Sequence, residues 1–252
     1  MSEHELFIKN PHSILEAIKR RPKDVLQISA PRDDFDGVWE TIVDLAQKNR
    51  IKVADSAPID RSASRRERSH FKNNIGGRES GHGASIRPKA GLSIENLLSG
   101  VDESSRGVWL ALDCLQDPQN IGAIFRSAAF FGVKGILMTS ERSAPMTSVV
   151  YDISCGGVET VPFVSVINLQ RAFEKAKESG LWILGTSEHA KQSVKKVDRD
   201  RGWLLVVGNE EKGIRRLTEE SCDLMCTIPA ASNGVTSLNV SVATGILLSH
   251  LT

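Results

Sequence analysis

Ile228-Pro229-Ala230-Ala231-Ser232-Asn233-Gly234-Val235-Thr236-Ser237-Leu238-Asn239-Val240-Ser241-Val242-Ala243 is the stretch whose reading decides the fold. An apolar, strand-like segment over 224–228 stops at Pro229, crosses a small-residue loop with an Asn-Gly pair, and resumes as an apolar segment reaching His250. That is the layout of a ligand loop between a strand and a helix. Ser237 and Asn239 fall at the helix start, where unpaired backbone N–H groups and short polar side chains grip a polar ligand atom. Taken alone, the same residues read more readily as a plain helix cap, and two tracts further upstream change that balance.

The first is Asp113-Cys114-Leu115-Gln116-Asp117-Pro118-Gln119-Asn120-Ile121-Gly122-Ala123-Ile124-Phe125-Arg126-Ser127-Ala128. Residues 108–112 read as a buried strand, Asp117-Pro118 as a break, and Asn120 as the N-cap of a helix running to about Phe131. Asn120 and Arg126 then lie near a strand's carboxyl end, where binding crevices form in α/β sheets. Arg126 sits in an otherwise apolar run, so its burial implies an anionic partner, either a ligand or a carboxylate within the fold. The second tract, Leu204-Leu205-Val206-Val207-Gly208-Asn209-Glu210-Glu211-Lys212-Gly213-Ile214, is a short apolar strand ending in a glycine-bracketed polar turn. Neither Gly-x-Gly-x-x-Gly nor Gly-x-x-x-x-Gly-Lys-Ser/Thr is present, which argues against dinucleotide and ATP loops. Glycine here lets backbone amides approach a ligand, with the Glu210 carboxylate beside them.

In this order and at these spacings, the three tracts resemble the motifs of the SpoU/TrmH group of SPOUT methyltransferases. Asn120-x-Gly122-x-x-x-Arg126 matches the first motif and Gly208-Asn209-Glu210-x-x-Gly213 the second. Ile228-Pro229 with Ser237-Leu238-Asn239-Val240-Ser241-x-Ala243 matches the third. Arg142-Ser143-Ala144, Cys155-Gly156-Gly157 and Gly213-Ile214-Arg215-Arg216 look most like the branch that methylates a guanosine of large-subunit ribosomal RNA, ahead of the tRNA-modifying branch. The resemblance implies an α/β fold: a C-terminal SPOUT domain with a trefoil knot and a mainly parallel sheet, preceded by a small L30e-like α/β domain. It implies transfer of a methyl group from S-adenosyl-L-methionine to a ribose 2′-hydroxyl by a homodimer acting on RNA, with no metal. Gly208, Ile228, Leu238 and Thr186 would bind the cofactor, while Arg126, Asn120, Glu210, Ser237 and Asn239 would carry the catalysis. A guanidinium keeps its proton until pH above about 12, so Arg126 suits gripping a phosphate and a developing alkoxide better than acting as a base. A non-catalytic RNA-binding assembly factor is the reading from another class; it leaves the polar cleft residues without a task.

Composition is compatible with all of this. The chain has 252 residues, 40% of them hydrophobic, enough for one large or two modest domains. No apolar run approaches a membrane span, and the polar, acidic start is unlike a leader peptide, so a cytoplasmic protein is expected. Cys114, Cys155, Cys222 and Cys226 read as reduced thiols; Cys222-x-x-x-Cys226 lacks a matching Cys/His pair for a metal.

The net charge of +1 conceals an uneven distribution. Arg61, Arg65, Arg66, Arg68, Lys72, Arg78, Arg87 and Lys89 crowd a stretch rich in Ser, Asn and Gly, which reads as a mobile basic linker, either a solvated tether or an RNA-contacting arm. The domain plan is therefore 1–58 as an L30e-like RNA substrate-binding domain, 59–104 as basic linker and domain end, and 105–252 as the methyltransferase domain. In the first, helices are expected over 11–20, with Ile14, Leu15, Ala17 and Ile18 inward, and around Val38, Ile42, Leu45 and Ala46, with strands at 24–29 and 51–54. Asn10 stands where relatives often have glycine. In the last, strands are expected near 108–112, 135–139, 181–185, 203–207 and 224–228. Asn168 caps a helix whose Leu169, Ala172, Phe173 and Ala176 form a core stripe.

Overall fold

The computed structural model describes residues 5–31, 37–55, 81–209, 211–231 and 237–252. Glu210, the 232–236 loop and the basic residues between 61 and 78 lie outside them. The chain divides into two compact units, Met1–Pro88 and Lys89–Thr252.

The first unit contains β1 (Leu6–Ile8), α1 (Pro11–Arg20), β2 (Val25–Ala30), α2 (Gly37–Lys48), β3 (Lys52–Asp55) and β4 (Gly83–Ile86). Its sheet has the order β1-β4-β2-β3, parallel only between β2 and β3. Asn10 is the N-cap of α1: its side-chain oxygen accepts from the N–H groups of His12 and Ser13, two of the donors a helix start leaves unpaired. Ile14, Ala17 and Ile18 are buried as their spacing requires; Leu15 is half-buried, and Ser13 takes the remaining inward place. In α2, Ile42 and Ala46 are buried together with Trp39, while Val38 and Leu45 are half-buried.

The second unit carries β5 (Gly107–Leu112), β6 (Ile136–Thr139), β7 (Phe163–Val166), β8 (Trp182–Thr186), β9 (Gln192–Ser193), β10 (Gly202–Val207) and β11 (Leu224–Thr227). These form one sheet in the order β7-β6-β5-β10-β8-β11-β9, parallel at every pairing. Its helices are α3 (Ile94–Leu97), α4 (Pro118–Phe130), α5 (Ser148–Ser154), α6 (Gly157–Thr160), α7 (Leu169–Glu178), α8 (Arg216–Glu220) and α9 (Val240–Leu251). Every residue of β10 is buried, as are all but the first of β5, the pattern of central parallel strands covered on both faces. Trp109, Ala111, Leu204 and Val206 point to one face and pack with Leu169, Ala172, Phe173 and Ala176 of α7. The helix α9 packs on α4 and reaches β5. That contact brings the last element of the chain beside one of the first in its unit.

The capping of α4 differs from the sequence expectation. Asp117 is the N-cap, its side chain accepting from the Gln119 N–H at 2.8 Å, and Pro118 opens the helix. Proline tolerates the first helical position because its missing N–H has no partner there anyway, so Asp-Pro starts this helix instead of breaking the chain before it. Asn120 lies inside the first turn and is 7% exposed. Gly122 permits α5 to approach: a Cβ there would lie 2.9 Å from the Val150 carbonyl oxygen and 2.8 Å from the Ile153 Cβ.

Two cations counted with the basic linker have structural tasks instead. The Arg87 N–H donates to the Asp24 carbonyl at 2.8 Å, and its guanidinium donates to the Lys23 carbonyl, both within the first unit. Lys89 belongs to the second unit, where its Nζ donates to the carbonyls of Val158, Glu159 and Val161 at 2.7, 3.1 and 3.1 Å. Lys89 meets carbonyls left open at the carboxyl end of α6, where a cation is favoured, whereas Arg87 is fixed by its backbone N–H and keeps its guanidinium at the surface.

Replacing Phe173 with alanine removes a fully buried ring from the α7 face of the sheet and is expected to cost about 3–5 kcal/mol. Urea unfolding of the second unit, followed by tryptophan fluorescence, checks this; an unchanged midpoint would contradict it.

Candidate active site

A cavity of about 540 Å³ opens at the carboxyl ends of β8, β10 and β11, where Thr186, Val207 and Thr227 are the last strand residues. Crevices at this end of a parallel sheet, beside a reversal of strand order, are where α/β folds bind ligands. Here the order reverses at β5, which stands next to β10 but contributes no residue to the cavity. Thr186, Gly208, Ile228 and Leu238 all line the cavity, and so does Ser237. Val207, Ile214, Met225 and Leu247 add apolar wall, while Glu188, Glu211, Glu219 and Lys212 bring charge to it, and His189 also lines it.

The 208–214 turn owes its shape to a glycine. A Cβ on Gly208 would stand 2.2 Å from the Gly213 carbonyl carbon and 2.3 Å from the Ile214 nitrogen, distances no side chain tolerates. Asn209 and Gly213 exchange backbone hydrogen bonds of 3.0 and 2.9 Å. The Asn209 side-chain oxygen accepts from the N–H groups of Glu211 and Lys212, and its Nδ2 donates to the Cys114 carbonyl at 3.0 Å. One asparagine thus both folds its own turn and ties it to the loop after β5.

Two further links cross between loops. Asp113, fully buried at the end of β5, accepts from the Arg215 Nε at 2.7 Å and from the Arg215 backbone N–H at 3.1 Å. A buried carboxylate is tolerated only with such partners. Asn239 Nδ2 donates to Asn120 Oδ1 at 2.9 Å, joining α9 to α4. The other end of the Asn239 amide is the N-cap of α9, its oxygen accepting from the N–H groups of Ser241 and Val242 and from the Ser241 hydroxyl. Asn120 and Asn239 are therefore brought together, and neither lines the cavity.

Arg126 stands apart from this cluster. It is exposed on α4 and does not line the cavity, so the argument from its burial among apolar neighbours fails. Ile124, Phe125 and Ala128 take the inward positions, and Arg126 falls on the outer side of the helix, where its charge stays hydrated. Glu210 lies outside the described residues.

Cys226 lines the cavity, but burial pushes its thiol up to about 12, and burial together with the Asp223 carboxylate does the same to Cys222. Both stay neutral at physiological pH, which removes thiolate attack from the chemistry available here. All four cysteines are free. Among the described residues no group of three His, Cys, Asp or Glu side chains gathers as a metal site, and no helix is long and apolar enough to cross a membrane.

Sequence reasoning passed over Asp113 and Arg215 as a pair, and the charged residues at the cavity mouth. The signal for the first was a carboxylate directly after an apolar strand, a position that demands a partner; nothing local indicated that the partner stood 102 residues away. It also passed over β7, a four-residue strand behind Pro162.

Comparison with known proteins agrees with this architecture. Residues 107–249 match the SpoU rRNA Methylase family, and the chain belongs to that family. It is 35% identical over 240 residues to a 23S rRNA (guanosine-2′-O-)-methyltransferase RlmB of Pseudomonas putida, covering 94% of this chain and 92% of that protein. It is 32% identical to the protein of the same name from Nitrosomonas europaea, covering 97% and 90%. Among solved structures, the SpoU methyltransferase AviRb from Streptomyces viridochromogenes in complex with AdoMet superposes with a TM-score of 0.74 at 20% identity, covering 98% of this chain and 89% of that one. This last likeness concerns the fold.

Gly208→Ala is expected to open the 208–214 turn and release the Asn209 link to Cys114. Amide exchange at Asn209 and Gly213 should rise by about tenfold or more, the equivalent of one net hydrogen bond lost. Exchange rates unchanged from the parent would contradict this account of the turn.

Proposed function

We infer that the protein is an S-adenosyl-L-methionine-dependent RNA methyltransferase acting on a ribose 2′-hydroxyl, with a guanosine of 23S-type ribosomal RNA as its target. The observation that carries this reading is that residues from the second and third motifs, Gly208, Ile228, Ser237 and Leu238, line one cavity together with Thr186. The named activity of relatives about a third identical over nearly the whole chain supports the substrate.

The cavity fits the cofactor. Its volume falls in the range of small-molecule sites, Val207, Ile214, Met225 and Leu247 offer apolar contact to a purine, and Glu188, Glu211 and Glu219 complement a cationic centre. When bound, S-adenosyl-L-methionine supplies an electrophilic methyl group on a sulfonium. The protein's task is to hold a ribose oxygen in line with that methyl group and to manage the oxygen's proton. Ser237, at the cavity edge, is the candidate to take or relay the proton, directly or through water.

Arg126 remains charged and is assigned the neighbouring phosphate and the developing oxyanion. Because it lies outside its own chain's cavity, the reading places it at the cavity of a second copy, so that a homodimer completes the site. Phe130 and Val242, on α4 and α9, are 83% and 51% exposed, apolar surface of the kind such an interface covers. Asn120 and Asn239 position the two helices, and Glu210 orients the reacting group. The trefoil knot, the RNA-binding role of the first unit and a cytoplasmic location belong to the same reading; no metal takes part.

Purified protein incubated with methyl-labelled S-adenosyl-L-methionine and separated ribosomal and transfer RNAs is expected to label the 23S fraction. The Arg126→Lys variant should lose about a hundredfold in kcat, because an ammonium lacks the two-pronged grip of a guanidinium. Labelling of transfer RNA alone would overturn the substrate. RNA binding without labelling would point to a scaffold, and near-parental turnover in the lysine variant would remove the guanidinium from the mechanism.

A further inference from the structure

Cys114 is the first residue past the Asp113 carboxylate, and it adopts φ +59°, in the left-handed region that side chains with a Cβ avoid. Such a conformation persists only where its surroundings impose it. Here both polar atoms of the Cys114 backbone are held by side chains from elsewhere. Its N–H donates to Thr139 Oγ1 at 3.0 Å, and its carbonyl accepts from Asn209 Nδ2 at 3.0 Å. Thr139, the last residue of β6, is 3% exposed and contributes nothing to the cavity. Its hydroxyl also meets the Ser143 hydroxyl at 2.5 Å, and the Ala144 N–H donates to the Leu115 carbonyl at 2.9 Å. The loop after β6 and the loop after β5 are thereby fastened together. Only residues 115–117 separate the strained peptide from Pro118, where α4 begins, and α4 carries both Asn120 and Arg126.

We propose that Thr139 is a positioning residue for the methyl transfer: its hydroxyl holds the Cys114 peptide in the left-handed turn that sets where α4 starts, and so how Arg126 is presented. The proposal rests on the functional reading above. It differs from a purely structural role because neither Thr139 nor Cys114 lines the cofactor cavity; the turn touches the cavity only through Asn209, whose own turn is closed separately by its bonds to Glu211, Lys212 and Gly213.

The test compares Thr139→Val, which keeps the branched shape and loses the hydroxyl, with Thr139→Ser, which keeps the hydroxyl, and with the double variant Thr139→Val/Cys114→Gly. Three quantities are read: amide exchange at Cys114, affinity for S-adenosyl-L-methionine, and kcat on ribosomal RNA. In Thr139→Val the Cys114 amide should exchange faster and kcat should fall by roughly tenfold to a hundredfold, the effect of a reacting group misplaced by about an ångström. Cofactor affinity should stay within about twofold, less than the smallest coupling counted between contacting residues. The serine variant should restore kcat. So should the double variant, because glycine takes positive φ without a clamp. A parental kcat in Thr139→Val, a loss confined to cofactor affinity, or no recovery in either the serine or the double variant would overturn the proposal. If Thr139→Val does not fold, the serine and double variants decide alone. An inactive parent would overturn the functional reading and, with it, the assigned role; a protected Cys114 amide in Thr139→Val would overturn the clamp independently of any activity.

Discussion

Three side-chain bridges hold this site together: Asp113 to Arg215, Asn209 to Cys114, and Asn239 to Asn120. Each joins loops or helix ends that are far apart in sequence, and each involves the loop after β5 or the helix α4 that follows it. Loops at the end of a parallel sheet are otherwise ordered only at the strand ends they leave, and ordering each further residue costs about 1–2 kcal/mol. A neutral hydrogen bond contributes about 1 kcal/mol net and one to a charged group, as in the Asp113 pair, about 1.5–3 kcal/mol, so no one bridge orders loops of several residues. Together, and with one carboxylate fully buried, they convert strand ends into a defined cleft.

Strand order explains why these bridges are possible. From β5 the chain moves outward through β6 to β7, then returns to place β10 directly against β5 and β8 beyond it. The loop after β5 consequently faces the loop after β10, though about a hundred residues separate them. The helix α9, which follows β11, packs on α4 and brings Asn239 to Asn120. Apolar burial in the sheet and its covering helices is the source of stability; the polar bridges select how the loops stand above it.

Much of this was legible in the residues. The apolar runs of β5, β10 and β11 announced themselves by composition and by what stops them, and the Asn168 cap and the α7 stripe followed from spacing. The four residues assigned to cofactor contact line one cavity because glycine turns, strand ends and a helix start are local features that a sequence displays. What escaped were properties set by distant parts of the chain. Asp117 displaced Asn120 as cap because the Asp-Pro pair starts a helix as readily as it ends a strand. Arg126 turned outward because helical phase, not the apolarity of its neighbours, decides which face a residue takes. The left-handed Cys114 and its clamp by Thr139 have no local signature, since the compensating hydroxyl comes from another strand.

The account stands on loops coupled through side chains, and a double-mutant cycle reads that coupling without reference to any assay of function. Asn120→Ala, Asn239→Ala and the double variant, compared by urea unfolding, should give a coupling energy of about 0.5–3 kcal/mol, the range found for residues in direct contact. The cycle subtracts the separate loss of the α9 cap. Strict additivity, within about 0.3 kcal/mol, would mean that α4 and α9 stand where they do without this bridge, and would contradict the account.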